Sequence, residues 1–228
     1  MTDIMEMLPK TWRIDDGMVR FFVLEGKDKA LMIDTGMNCP DAKELARKFT
    51  DKPLELLNTH ADRDHISGNA AFDTCYMAPA EEENYRRAGG TGTITPIHDK
   101  DIIDLGDRPL EIIEIPGHTP GSVAILDINN RLLISGDSVQ AGNIFMFGEF
   151  RNIHDYIKSL EKLRTYEGRF DTIYPSHGPL PVKPELTAKL IEGAKEIESG
   201  KAQGEEIDLF GNKVRLYKFE YAGFFGEL

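Results

Sequence analysis

The chain has 228 residues, enough to bury a full core without disulfide or metal staples. Lys and Arg number 27 against 39 Asp and Glu, so the formal net charge is −12. A surface of that sign repels phosphate backbones and argues against a nucleic-acid partner.

No Pro-, Gly- or Ser-rich linker, low-complexity tract or clear repeat marks a seam, so a single domain over residues 1–228 is expected. The segment from Met1 to Lys10 lacks a basic stretch followed by an apolar one, and no run approaches the length of a membrane span. Cys39 and Cys75 stand in unrelated contexts and fit free thiols in a reducing compartment. A cytoplasmic enzyme acting on a small molecule, with a homodimer left open, is the reading these features support.

In chain order the first third is strand-rich. Val19 to Leu24 and Ala30 to Ile33 are apolar or β-branched runs separated by Gly26-Lys27-Asp28. A helix is expected from Pro40-Asp41, with Asp41 as N-cap and Leu45, Ala46 and Phe49 on one face. Leu54 to Leu57 predicts a short strand, Ile66 to Phe72 a short helix, Cys75 to Met77 a strand and Pro79 to Arg87 a helix. The Gly89-Gly90-Thr91-Gly92 stretch lacks a following Gly-Lys-Ser/Thr and reads as a mobile loop rather than a phosphate cradle.

The middle returns to strands: Leu110 to Ile115, Val123 to Asp127 and Leu132 to Ile134, with a hairpin turn at Asn129-Asn130. His154 to Tyr166 has apolar residues at helical spacing, Thr172 to Tyr174 predicts a strand, and Pro184 to Glu198 a second helix. Val214 to Tyr221 alternates like an edge strand or hairpin arm. The order strands, helix, strand, helix occurs twice. Two mixed β-sheets packed face to face with helices outside, an α/β fold of four layers, αββα, would satisfy it.

Four segments carry the chemistry. The first is Thr59-His60-Ala61-Asp62-Arg63-Asp64-His65. The others are Pro116-Gly117-His118-Thr119-Pro120-Gly121, Ser135-Gly136-Asp137-Ser138 and Pro175-Ser176-His177-Gly178-Pro179. Imidazole and carboxylate are the donors that hold Zn, Mn or Fe. Seven of them at turns exceed the need of one ion and suit two adjacent cations sharing a bridge. Each is expected directly after a strand, where a rigid element can aim it into a shared cleft. In an extended stretch His60, Asp62 and Asp64 would project to one side, with His65 displaced around the turn. Singly, each residue has a bland role: Asp137 an Asx turn, Asp62 and Asp64 helix N-caps, His98 and His154 surface residues. Together, and in matching turn contexts, the first seven point to metal.

The chain resembles the metallo-β-lactamase superfamily, or glyoxalase II-like hydrolases, through Asp34-Thr35-Gly36, the block from His60 to His65, the Pro-Gly-His118 segment, Ser-Gly-Asp137 and Ser-His177-Gly. The resemblance implies an αββα sandwich with a binuclear site. His60, Asp62 and His118 would hold one metal; Asp64, His65 and His177 the other; Asp137 would bridge them; and Asp34 would buttress the ligand loops. The family block carries a third histidine where this chain has Asp62. That anionic oxygen donor lowers the Lewis acidity of its metal and makes Mn or Fe candidates beside Zn.

The expected reaction is metal-assisted hydrolysis of an ester, thioester, lactone or phosphoester. Zinc lowers the pKa of bound water from about 15.7 to roughly 7, and Asp64 would orient the resulting nucleophile or ferry its proton. No separate general acid is evident, which suits a good leaving group such as thiolate or a phosphate-linked alkoxide. The alternative is an oxidoreductase with a non-haem iron, persulfide dioxygenase-like or flavodiiron-like. A non-catalytic binding module ranks last. The aromatic stretches from Asn143 to Arg151 and from Phe219 to Leu228 either form a lid over an apolar substrate part or pack on themselves or a second subunit.

Overall fold

The computed structural model describes residues 2–228. The backbone divides into two compact units. One comprises residues up to Ile113 together with Ile125–Asn130, the other Glu114–Ala124 and Arg131–Leu228.

The first unit begins with strands Asp3–Leu8 (β1), Thr11–Asp15 (β2), Arg20–Glu25 (β3) and Ala30–Ile33 (β4), each antiparallel to the next. Helix Ala42–Ala46 (α1) leads to Leu54–Leu57 (β5). Thr74–Met77 (β6), helix Glu82–Arg87 (α2) and Thr93–Pro96 (β7) follow, with β4 to β7 running parallel. These make a seven-stranded sheet in sequence order among the described residues. Strands Ile102–Asp104 (β8) and Pro109–Glu114 (β9) pair antiparallel, and the chain passes between units within Val123–Asp127 (β10). β3 and β4 are apolar on both faces because both are covered, the reading expected of a central strand. Phe21, Val23, Met32, Ala42, Ala46 and Leu56 form the heart of one cluster, each large side chain contributing about 1.5–3 kcal/mol on burial.

The second unit contains Leu132–Gly136 (β11), Asn143–Met146 (β12), Ile153–Arg164 (α3), Thr172–Pro175 (β13) and Leu186–Glu198 (α4). It ends with Glu205–Leu209 (β14), Asn212–Lys218 (β15) and Gly223–Gly226 (β16). β11 and β13 pair in parallel, and a four-stranded sheet has the order β12-β16-β15-β14. α3 is capped by Asn152, whose side chain accepts from the Asp155 amide. The molecule is thus of the mixed α/β class, with mixed sheets and four α-helices among the described residues. None of those helices is long and apolar enough to cross a membrane.

Some expected elements differ. Asp41 stands at the N-cap of α1 but makes no side-chain cap bond, and the helix lasts five residues. Ile66 to Phe72 contains only a 3-10 turn at Asn69–Ala71. There Gly68 sits so close to the Cys39 carbonyl that a Cβ would lie 2.5 Å from its oxygen, and Thr35 Oγ1 takes the Gly68 amide, so the backbone serves tertiary contacts before helical ones. The Gly89–Gly92 loop, expected to be mobile, is held by Arg86 Nη1, which donates to the carbonyls of Gly90 and Gly92. The terminal strand stops at Lys218. Phe219 N then bonds Ala222 O across a turn, and the tail returns as β16 between β12 and β15. Phe224 is fully buried with its ring edge-on to Tyr156 and Phe219, and Phe225 meets Phe145 edge-on. The two aromatic stretches therefore pack on one another inside the second unit.

One carboxylate anchors the loop after β4. Asp16 Oδ1 accepts from Met18 and Val19, and Oδ2 from Met37 and Asn38 at 2.7 and 2.9 Å. Burial acts to raise the Asp16 pKa, but the amides of Asn38, Val19, Met18 and Met37 outweigh it and hold the carboxyl below its ordinary value. A depressed folded-state pKa contributes stability that is complete above the unfolded value and lost as pH falls through the folded one. Asp16→Asn is expected to lower the melting temperature at pH 7, with the gap to the parent closing as pH falls below about 4. A gap independent of pH in thermal melts from pH 7 to pH 3 would contradict this.

Candidate metal centre

The first donor group hangs from the end of β5. The strand continues for one residue, as Asn58 N bonds Tyr76 O, and the chain then turns. His65 N closes on Asp62 O at 2.9 Å, which gathers four donors into two pairs. Asp62 Oδ2 lies 3.6 Å from His60 Nε2, and Asp64 Oδ2 lies 3.7 Å from His65 Nε2. The imidazoles are buried with ring centroids 3.9 Å apart. The simple alternation expected of an extended stretch is replaced by this pairing, because the turn at Asp62–His65 brings His65 back beside Asp64.

Asp34 sets the protonation pattern of the pair. Its backbone adopts φ 64°, in the left-handed region that Asp, with Asn and His, tolerates better than most side chains. From there its Oδ1 accepts the Thr59 amide at 2.8 Å, and its Oδ2 lies 2.7 Å from Thr59 Oγ1 and 2.8 Å from His65 Nδ1. A carboxylate only accepts, so Thr59 spends its proton on Asp34 and its oxygen is left to accept from His60 Nδ1 at 3.0 Å. Both rings then carry hydrogen on Nδ1, which leaves Nε2 as the nitrogen that can bind a cation. Around them Thr35 N and Asn58 Nδ2 bond the His65 carbonyl, and Asn69 bridges Asn58 and Thr35.

The second donor group lies in the other unit. Gly117 has φ 136°, and a Cβ there would lie 2.3 Å from the Tyr156 backbone, so only glycine permits this approach to α3. Its carbonyl takes the Asn152 amide at 2.8 Å, and Ser159 Oγ holds the Pro116 carbonyl at 2.6 Å. His118 leaves that pinned turn with Nδ1 donating to the Phe145 carbonyl of β12 at 3.1 Å, so its Nε2 carries the lone pair. Asp137 and His177 are brought together by the parallel pairing of β11 and β13: Gly136 opposes Pro175, and Ser176 N bonds Gly136 O at 3.0 Å. Asp137 Oδ2 stands 3.3 Å from His177 Nε2 and 3.7 Å from His118 Nε2. One carboxylate oxygen thus faces both imidazoles.

These donors fit a metal. Two ligand atoms at about 2.0–2.2 Å from one tetrahedral ion stand roughly 3.3–3.6 Å apart, and the His–Asp pairs of the two units lie at 3.3 to 3.7 Å. All seven expected donors take part in such pairs. His98 is exposed, and exposed His154 pairs with Glu198 at 2.8 Å, so neither joins the donors. Asp34 buttresses, as the resemblance implied. Sequence reading passes over Asn58, Thr59, Asn69, Glu81 and Asn84, whose buried amides, hydroxyl and carboxyl hold the donor loop. The only hint was polar residues embedded in stretches that otherwise read as core.

Residues 14–177 match the family model described as the Metallo-beta-lactamase superfamily. Human acyl-coenzyme A thioesterase MBLAC2 is 26% identical over 202 residues, covering 68% of this chain and 71% of that protein. Human mitochondrial persulfide dioxygenase ETHE1 is 27% identical over 154 residues, covering 65% and 59%. Among solved structures, a metallo-beta-lactamase from Pontibacter korlensis aligns with a TM-score of 0.73 at 18% identity, covering 86% of this chain and 99% of that one, which shows a shared fold. Such a fold implies divalent metal ions, and the paired donors suit them. The chain is a hydrolytic enzyme and belongs to the metallo-beta-lactamase superfamily.

Proposed function

We propose that this enzyme hydrolyses thioesters of small anionic thiols at a pair of divalent cations, within one domain formed by both units. His60, Asp62 and His118 would hold one cation, Asp64, His65 and His177 the other, with Asp137 shared. The carrying observation is the set of four His–Asp spacings at tetrahedral-edge length, with Nε2 the donor atom on His60, His65 and His118. Zinc suits imidazole-rich sets, and the carboxylates Asp62, Asp64 and Asp137 suit manganese or iron equally. When bound, the cations supply Lewis acidity toward the carbonyl oxygen and an acidified water.

The chain's own residues would do the rest. Asp64 would orient the attacking water and take its proton. Water oxygen adds to the acyl carbon, the carbon–sulfur bond breaks, and sulfur leaves with the electron pair. The proton held by Asp64 can then pass to the thiolate. A thiolate departs without an acid catalyst, which agrees with the lack of a separate proton donor in the ligand motifs and with the thioesterase relative. Arg63, exposed between two donors, lines a cavity of about 340 Å³ with Ser67, Asn69, Tyr85 and Thr91. In a chain of net charge −12 it offers a local cation for a carboxylate or phosphate on the thiol.

The dioxygenase relative keeps one second reading, oxygen chemistry at a single iron. It would leave the Asp64, His65 and His177 donors without a task. Oxygen uptake by iron-loaded protein with a persulfide, and no anaerobic thioester turnover, would establish it in place of hydrolysis.

Chelation should abolish turnover of acyl thioesters and added zinc or manganese should restore it. Asp64→Asn should cut kcat by about 100-fold or more with an unchanged circular dichroism spectrum. Full activity in either experiment would contradict the proposal. Arg63→Ala should raise KM about tenfold, the equivalent of about 1.4 kcal/mol, for thioesters of a phosphorylated thiol and leave KM for an uncharged thiol unchanged. Equal effects on both would remove Arg63 from recognition.

A further inference from the structure

Asp62 is the shortest donor in its pair, and a lone carboxylate can swing between orientations. Here one of its oxygens is tied. Asn84 Nδ2 donates to Asp62 Oδ1 at 3.1 Å and, with its other hydrogen, to Glu81 Oε1 at 2.7 Å. The same Glu81 oxygen accepts the Ala61 amide at 2.9 Å, next to Asp62 in the chain. Glu81 is fully buried and Asn84 nearly so. Both lie on the short helical segment from Pro79 through the first turn of α2.

The chemistry of this chain of contacts is specific to an amide. An –NH₂ group has two hydrogens, and each is spent on a carboxylate. A hydroxyl has one and a carboxylate none. Glu81, accepting through Oε1, fixes the rotation of the Asn84 amide. Asn84 then fixes the rotation of the Asp62 carboxylate, and Oδ2 is the atom turned toward His60 Nε2 at 3.6 Å. Nothing else in the metal chemistry described above calls for a buried glutamate at residue 81.

We propose that Asn84, oriented by Glu81, is a positioning residue that aims Asp62 Oδ2 at the metal held by His60 and His118, and so makes a carboxylate serve at a place where the superfamily block has an imidazole. The inference rests on the reading of Asp62 as a ligand. The amide restrains Oδ1 and leaves one oxygen to donate, so the pair acts as a stiff one-atom ligand.

Calorimetric titration of zinc into metal-free protein tests it, with the parent, Asn84→Leu, Asp62→Ala and the double variant. Asn84→Leu keeps the branched shape and removes both donated hydrogens. Asn84→Ala, run alongside, covers the case in which leucine prevents folding. Loss of such an outer contact typically costs about 10- to 100-fold in metal affinity. The expected result is a loss of that size at one of two sites, the other changing less than about twofold. In the Asp62→Ala background the change at Asn84 should add nothing. Unchanged binding in both Asn84 variants, or an undiminished effect of Asn84→Leu in the Asp62→Ala protein, would overturn the role of Asn84 while leaving the metal reading intact. Two unaltered zinc sites in Asp62→Ala itself would overturn both the inference and the assignment of Asp62.

Discussion

The arrangement of the first donor group depends on a single buried carboxylate. Asp34 adopts a backbone conformation that costs an ordinary side chain of order 1 kcal/mol or more, and holds it at φ 64°. In return it binds the amide and hydroxyl of Thr59 and the Nδ1 of His65. Those three contacts decide where hydrogens lie on two imidazoles, one directly and one through the Thr59 hydroxyl. A ring with the other tautomer would present N–H where a cation needs a lone pair. The position of the Asp34 carboxylate thereby directs Nε2 of both rings, and not Nδ1, to the place a metal would take.

The second unit reaches the same end by another route. Its donors are fixed by strand ends and by close backbone approach. Parallel pairing of β11 with β13 sets Asp137 beside His177, and Gly117, pressed on the start of α3, sets the exit of His118. The Phe145 carbonyl then supplies for His118 what Asp34 supplies for His65. A neutral carbonyl leaves its imidazole a weaker base than a carboxylate does. His118 and His65 therefore differ in donor strength, and since each would serve a different cation, the difference is a physical basis for unequal affinity.

Much of this was legible before any coordinates. The apolar runs of β3, β4, β5, β10 and β13 were readable because both faces are covered, and the donors were readable because Gly and Pro punctuate the strand ends that carry them. Strands β1, β2 and β14 were not, since their exposed positions carry charge that masks the alternation. The segment after His65 looked helical by composition, yet Gly68 must approach the Cys39 carbonyl and Thr35 hydroxyl. Phe224 and Phe225 read equally as a lid or as packing, and composition alone does not separate the two, because a strand buried on both sides needs the same residues. Glu81 and Asn84 are hidden for a deeper reason: a buried polar residue is indistinguishable in sequence from a solvated one until its partners are placed. The unusual Asp62 was visible in the sequence, and its support was not.

The central claim is that donors from the two units share a pair of cations. Anomalous diffraction from crystals of metal-loaded protein addresses it directly. The account predicts two peaks, one contacted by His60, Asp62 and His118, the other by Asp64, His65 and His177, with Asp137 touching both. A single peak, or metal bound to the donors of one unit alone, would contradict it.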